Sequence, residues 1–92
     1  MGLLFEWDKK KESINIARHK VTFEEASTVF RDELSLTIHD PLHSTEEDRL
    51  IIIGESTKHR LLVVVHTERN DKIRIISARQ TTKNERRYYE SK

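Results

Sequence analysis

Five consecutive aliphatic residues, Leu61-Leu62-Val63-Val64-Val65, stand between Arg60 and His66 in a chain that is otherwise strongly polar. A strand sends successive side chains to opposite faces, so an unbroken run of this kind is apolar on both. It reads as the central strand of a sheet, covered at least in part on each side. Charged residues make up 36% of the 92 and hydrophobic ones 35%, so the core must be built from a few dense runs under a highly charged surface. A chain this short has material for one core, and one domain over residues 1–92 is expected.

The segments around the run supply its partners. Leu3 to Trp7 reads as a short strand, after which Asp8 can N-cap a helix to about His19 with Ile14, Ala17 and Ile16 on its buried side. Thr22 and Glu25 have capping-box spacing, with Val21 and Ala26 placed as a hydrophobic staple. They open a helix to about Phe30 that buries Phe23, Ala26, Val29 and Phe30. Leu34, Leu36 and Ile38 then alternate with Ser35 and Thr37 as in a half-buried strand, and residues 39–48 read as an acidic surface loop. Strands over 49–54, 60–67 and 72–79 follow, the last two as a hairpin through Glu68-Arg69-Asn70-Asp71. Thr82 and Glu85 repeat the capping-box spacing ahead of Arg86, Arg87, Tyr88 and Tyr89. The order βααββββα predicts an α+β fold: a mainly antiparallel sheet with two N-terminal helices and one C-terminal helix.

Several function classes are excluded. With no Cys there is no thiolate nucleophile and no disulfide framework, a composition that suits a reducing cytoplasm. The aliphatic run is far too short to span a membrane, and Met1 to Asp8 lacks the basic start and apolar stretch of a secretory leader. No phosphate-binding P-loop or nucleophile elbow occurs. His39, Asp40, His43, Glu46 and Glu47 offer metal-ligand types, but Pro41 breaks the helix that would align the two histidines, so no metal site is expected. Net charge is only +1, yet it is unevenly placed: residues 1–68 sum to −4 and residues 69–92 to +5. A local basic field can attract a polyanion even on a near-neutral protein.

Candidate chemistry gathers at the last two strands and the last helix. His66 is the natural general acid or base, since imidazole titrates near neutrality, and Glu68, two residues on, could orient it or act as base. Strict alternation along 73–79 puts Arg74 and Arg79 on opposite faces. Arg79, at the strand exit, could meet a phosphate near the N–H groups that open the last helix, or could simply pair with Glu68 or Glu85. Tyr88 and Tyr89 beside Lys83, Arg86 and Arg87 suit base stacking with backbone neutralisation, although one tyrosine is expected to dock the helix. Trp7, Asp8, Asn15 and His19 read as residues that brace the first helix against the sheet. A non-catalytic module that binds nucleic acid or protein through the basic C-terminal region stays open as the alternative.

Phe5-Glu6-Trp7-Asp8, the Asn15 to His19 spacing, Phe23-Glu24-Glu25-Ala26, residues 63–69, residues 73–79 and Glu85-Arg86-Arg87 together resemble the BrnT toxins of the BrnT/BrnA type II toxin–antitoxin systems. The resemblance runs nearly the full chain in order. It implies a RelE-like microbial ribonuclease fold, metal-independent RNA cleavage that stops translation, and neutralisation by a BrnA-like ribbon-helix-helix antitoxin, through which alone operator DNA would be contacted. On that footing His66 or Glu68 would be the base, Arg79 and Arg86 phosphate clamps, and Tyr89 or His66 the acid. Lys72, Arg74, Lys83, Arg87 and Tyr88 would hold the RNA, with no cofactor.

Overall fold

The aliphatic run lies in the middle of the sheet. In the computed structural model, which describes residues 2–40 and 48–91, the elements are β1 (Phe5–Glu6), α1 (Lys9–His19), α2 (Phe23–Thr28) running into a 3-10 turn at Val29–Arg31, β2 (Leu36–His39), β3 (Leu50–Glu55), β4 (Leu61–Arg69), β5 (Lys72–Gln80) and α3 (Lys83–Glu90). Across the sheet the order is β1-β5-β4-β3-β2. Three of the four pairings are antiparallel, and β1 runs parallel to β5 at the edge. The sheet is therefore mixed. No helix among the described residues is long and apolar enough to cross a membrane.

The expected helix starts follow from their caps. Asp8 accepts from the amides of Lys10 at 2.7 Å and Lys11 at 3.3 Å. Thr22 accepts from the Glu25 amide at 3.0 Å, but Glu25 does not reach back to complete a capping box. Its carboxylate is buried instead against Ser56 and Arg60, and these hydrogen bonds, that from Arg60 first, hold it below the usual carboxylate range. At Thr82 the box is complete, with Glu85 N–H donating to the hydroxyl and Thr82 N–H to the carboxylate. The β4–β5 hairpin closes on Asn70 and Asp71, both at positive φ (50° and 65°), as in a two-residue primed turn.

One face of the sheet carries the core. Leu62, Val64, Ile52, Ile75 and Ala78 pack against Val21, Phe23, Ala26 and Val29 from α2 and its flanks, with Phe5, Trp7 and Phe30 around them. The first helix packs differently from its expected pattern. Ile14 and Ile16 are exposed, and so is Ala17, while the buried residue is Asn15. Its amide donates to the carbonyls of Val21 (2.9 Å) and Ala78 (2.8 Å) and accepts from Ala78 N–H (3.0 Å), bracing α1 against β5. Polar satisfaction of the β5 backbone, and not aliphatic burial, sets the face that α1 turns inward. Leu34 also falls outside its expected strand, exposed in a turn where Asp32 accepts from its amide.

An irregularity in β5 decides what the other face presents. Val65 pairs with Ser77 but His66 pairs with Ile75, so Ile76 is an extra residue on the β5 side. Alternation restarts after it. Arg74, opposite Thr67, and Arg79, opposite Val63, consequently point to the same face, against the strict two-residue count. His39, expected in the loop, is instead the last residue of β2 and pairs with Leu50; Asp40 follows it, and His43, Glu46 and Glu47 lie outside the described residues.

Candidate active site

The second face is a groove. Its floor is Ile51 and Ile53 of β3 with Val63 and Val65 of β4, Ile38 extends it onto β2, and α3 forms one wall; the cavity measures about 390 Å³. The polar groups that line it are Ser77, Arg79, Asn84 and Glu85, with the half-exposed Tyr88 at the side.

Helical spacing on α3 separates two jobs. Glu85 and Tyr89, one turn apart, moor the helix, and Asn84 and Tyr88, also one turn apart, face the groove. Glu85 grips Arg79 in a bidentate pair, with both N–H···O contacts at 2.8 Å. Those bonds, ahead of the Thr82 amide, pull the carboxyl down to about 2. The same pair raises the Arg79 guanidinium above its ordinary value. The anion position at the start of α3, where a phosphate was expected to meet Arg79, is thus filled by the Glu85 carboxylate. Tyr89 donates to Asp32 at 2.5 Å, and burial together with that carboxylate pushes the phenol up to about 12. Asp32 also accepts from Glu55 N–H at 2.8 Å. A Cβ on Gly54 would stand 2.9 Å from Val29 and 3.2 Å from the Asp32 carboxylate, so this anchorage leaves room only for glycine.

The structure brings together only part of the expected set. Arg79 and Tyr88 meet in the groove. His66 does not: it sits 3% exposed on the helix-covered face, its ring 4.8 Å edge-on from Phe30 and its Nδ1 3.3 Å from the Val64 carbonyl oxygen. Glu68, two residues along β4 and opposite Ile73, shares that face and is exposed near its margin. Tyr89 is turned to Asp32. Arg86 pairs with Glu90 at 3.7 Å on the exposed side of α3, where Lys83 and Arg87 are also open to water. Arg74 shares the groove's face but pairs with Glu6 at 3.4 Å at the far end of β5, and Lys72 is exposed beside the hairpin turn. Asn84 escaped sequence reasoning, although its position one turn before Tyr88 carried the signal.

Burial pushes the His66 imidazole below its ordinary value of 6.5, more than the Val64 carbonyl and the Glu68 charge raise it. The unfolded chain therefore takes up this proton before the folded one does, and stability falls as pH drops below about 6.5. Glu25 and Glu85, whose values are depressed, lose their contributions only at lower pH. Between about pH 7 and pH 5 the denaturant midpoint of the parent should decline, and that of His66→Gln should decline less. Equal slopes for the two proteins would show that burial of this imidazole has no energetic effect.

Fold and groove define a small α+β protein: one sheet face is closed by the N-terminal helices, and the other is half closed by a cationic C-terminal helix. The family described as "Ribonuclease toxin, BrnT, of type II toxin-antitoxin system" matches residues 7–85, and the chain belongs to that family of ribonuclease toxins. Among solved structures it is similar to the crystal structure of the Brucella abortus ribonuclease toxin BrnT, with a TM-score of 0.68 and 22% identity over 89% of this chain and 100% of the other. At that identity the likeness is one of fold. No curated protein matches the chain.

Proposed function

We propose that this protein, as one domain of RelE-like kind, is a cytoplasmic, metal-independent endoribonuclease whose RNA cleavage inhibits translation. A BrnA-like ribbon-helix-helix antitoxin neutralises it and supplies the contact with operator DNA. The observation that carries the reading is the bidentate Arg79–Glu85 pair at the edge of the groove, in a chain that belongs to a ribonuclease toxin family. RNA cleavage by this route joins the 2′-oxygen to the adjacent phosphorus and releases the 5′-oxygen. It needs a base for the 2′-hydroxyl proton, positive charge on the phosphate as that charge rearranges, and a proton for the departing 5′-oxygen.

Arg79 supplies the charge. An RNA phosphate displaces Glu85 from the guanidinium, and the freed carboxylate, no longer held down by Arg79, recovers basicity beside the 2′-hydroxyl. Proton abstraction falls to Glu85 because His66, Glu68 and Tyr89 lie away from the groove, and for the same reason neither Tyr89 nor His66 serves as the acid: the protonated Glu85 carboxyl passes its proton, directly or through water, to the departing 5′-oxygen. Lys83, Arg86 and Arg87 on α3, with Lys72 and Arg74 along β5, hold the flanking phosphates. Labelled RNA incubated with the purified protein in EDTA tests the activity: cleavage is expected, and retention of RNA without cleavage would make the protein a binding module.

Glu85→Gln separates attraction from chemistry. Gln keeps the capping-box geometry but removes the charge that competes for Arg79. RNA affinity should rise a few-fold, while cleavage at saturating RNA should fall about 10²- to 10⁴-fold, the usual range for loss of a general base. Tighter binding with undiminished cleavage would reduce Glu85 to a competitor for the guanidinium.

A further inference from the structure

We infer that the groove beneath α3 is a nucleobase pocket that favours a purine next to the phosphate on Arg79, with Asn84 and Ser77 reading its edge and Tyr88 stacking on its face. The inference rests on the ribonuclease reading for its choice of ligand, but the site can be tested without any cleavage.

The floor is wholly aliphatic where Ile51, Ile53, Val63 and Val65 meet. A phosphate or a ribose laid there would surrender water and gain no hydrogen bond. A base is the part of RNA that has apolar faces and confines its polar groups to an edge. The floor crosses β2, β3 and β4, two inter-strand spacings or roughly 10 Å, which is more width than a single pyrimidine ring fills.

The wall adds the edge partners. Arg79 and Glu85 satisfy one another, whereas the Ser77 hydroxyl and the Asn84 amide make no side-chain hydrogen bond to another described residue. An Asn amide places one donor and one acceptor side by side, the pattern that pairs with adenine N7 and its exocyclic amine. Tyr88 is 51% exposed and stands one turn beyond Asn84. The charge around the pocket suits the strand that would carry the base, because the chain from residue 69 onward is net positive. An apolar peptide segment would fit the floor but would have no use for these cations.

Methyl resonances of Ile51, Val63 and Val65 report the pocket directly in an NMR titration with adenosine 5′-monophosphate, cytidine 5′-monophosphate and ribose 5-phosphate. Adenosine monophosphate should shift all three through its ring current and bind more tightly than the cytidine compound, while ribose 5-phosphate should leave them in place. Tyr88→Ala should weaken adenosine monophosphate about 5- to 100-fold, the size of one base–aromatic stack, and Tyr88→Phe should restore it. Asn84→Ala should narrow the gap between the two nucleotides. Unmoved methyls, equal shifts by ribose 5-phosphate, or Tyr88→Ala binding like the parent would overturn the pocket. So would methyl shifts that depend on protein concentration alone, which would assign the groove to a second copy. Nucleotide binding without RNA cleavage would keep the pocket and reject the nuclease; cleavage with no nucleotide in the groove would do the reverse.

Discussion

Arg79→Ala is expected to lower RNA cleavage about 10²- to 10³-fold at saturating RNA, the range seen when one preorganised donor to a developing charge is removed. The guanidinium is aimed in advance: both of its terminal nitrogens are fixed by Glu85, and one also reaches the Gln80 carbonyl at 3.2 Å. It therefore loses little freedom when a phosphate takes the place of the carboxylate. Lys at this position keeps a charge but gives up the fork, so Arg79→Lys should recover only part of the rate. The pair is partly open to solvent, so its loss should cost little stability, and thermal melting can certify that the variant is folded. A folded Arg79→Ala protein that cleaves at the parental rate would remove Arg79 from the chemistry.

On the first helix the largest effect on stability should come from a polar residue. Asn15→Ala leaves three buried backbone groups, on Val21 and Ala78, without the side chain that satisfies them. Each unsatisfied group costs about 1–3 kcal/mol, and partial rehydration on the α1 side offsets some of this, giving a net loss of about 3 kcal/mol. For a protein of this length that corresponds to a fall in Tm of about 12–24 °C. Ile14→Ala, on a side chain 56% exposed, should change stability by less than about 1 kcal/mol. Urea denaturation of the two variants checks the ranking, and an Ile14→Ala loss as large as that of Asn15→Ala would contradict the packing described.

The parts of the fold legible in the sequence are those fixed by local chemistry. Caps at Asp8, Thr22 and Thr82 start the helices where expected, Asn70 and Asp71 close the hairpin, and the run from Leu61 to Val65 occupies the centre of the sheet. What escaped depends on neighbours distant in sequence. The parallel docking of β1 on β5 is set by an edge that only the folded sheet provides. Ile76 adds one residue to β5, and no periodicity count can detect an addition that exists only relative to a partner strand. That single residue determines that Arg79 shares the floor of Val63 and Val65. His66, the most chemically suggestive residue of the sequence, turns to Phe30 by the ordinary alternation of β4, on the face of Leu62 and Val64. The Asn84–Tyr88 wall is half legible: Tyr88 shows in the sequence as a stacking residue, whereas Asn84 is marked only by its place one turn before it.

Because Glu85 both completes the cap of α3 and occupies Arg79, the chain carries its own tethered anion at the place where a substrate phosphate would bind. Tethering makes rebinding of that carboxylate intramolecular, so a small anion free in solution must displace a partner that cannot diffuse away. Chloride or inorganic phosphate must compete with it one charge centre at a time, with no base to hold it in the groove. On the proposed reading a long RNA gains further, because contacts along Lys83, Arg86 and Arg87 would bring successive phosphates to the groove by the same tethering. On that reading the self-pairing of Arg79 acts as a filter, keeping small inorganic anions out of the site and admitting a nucleotide, above all one carried in a polymer.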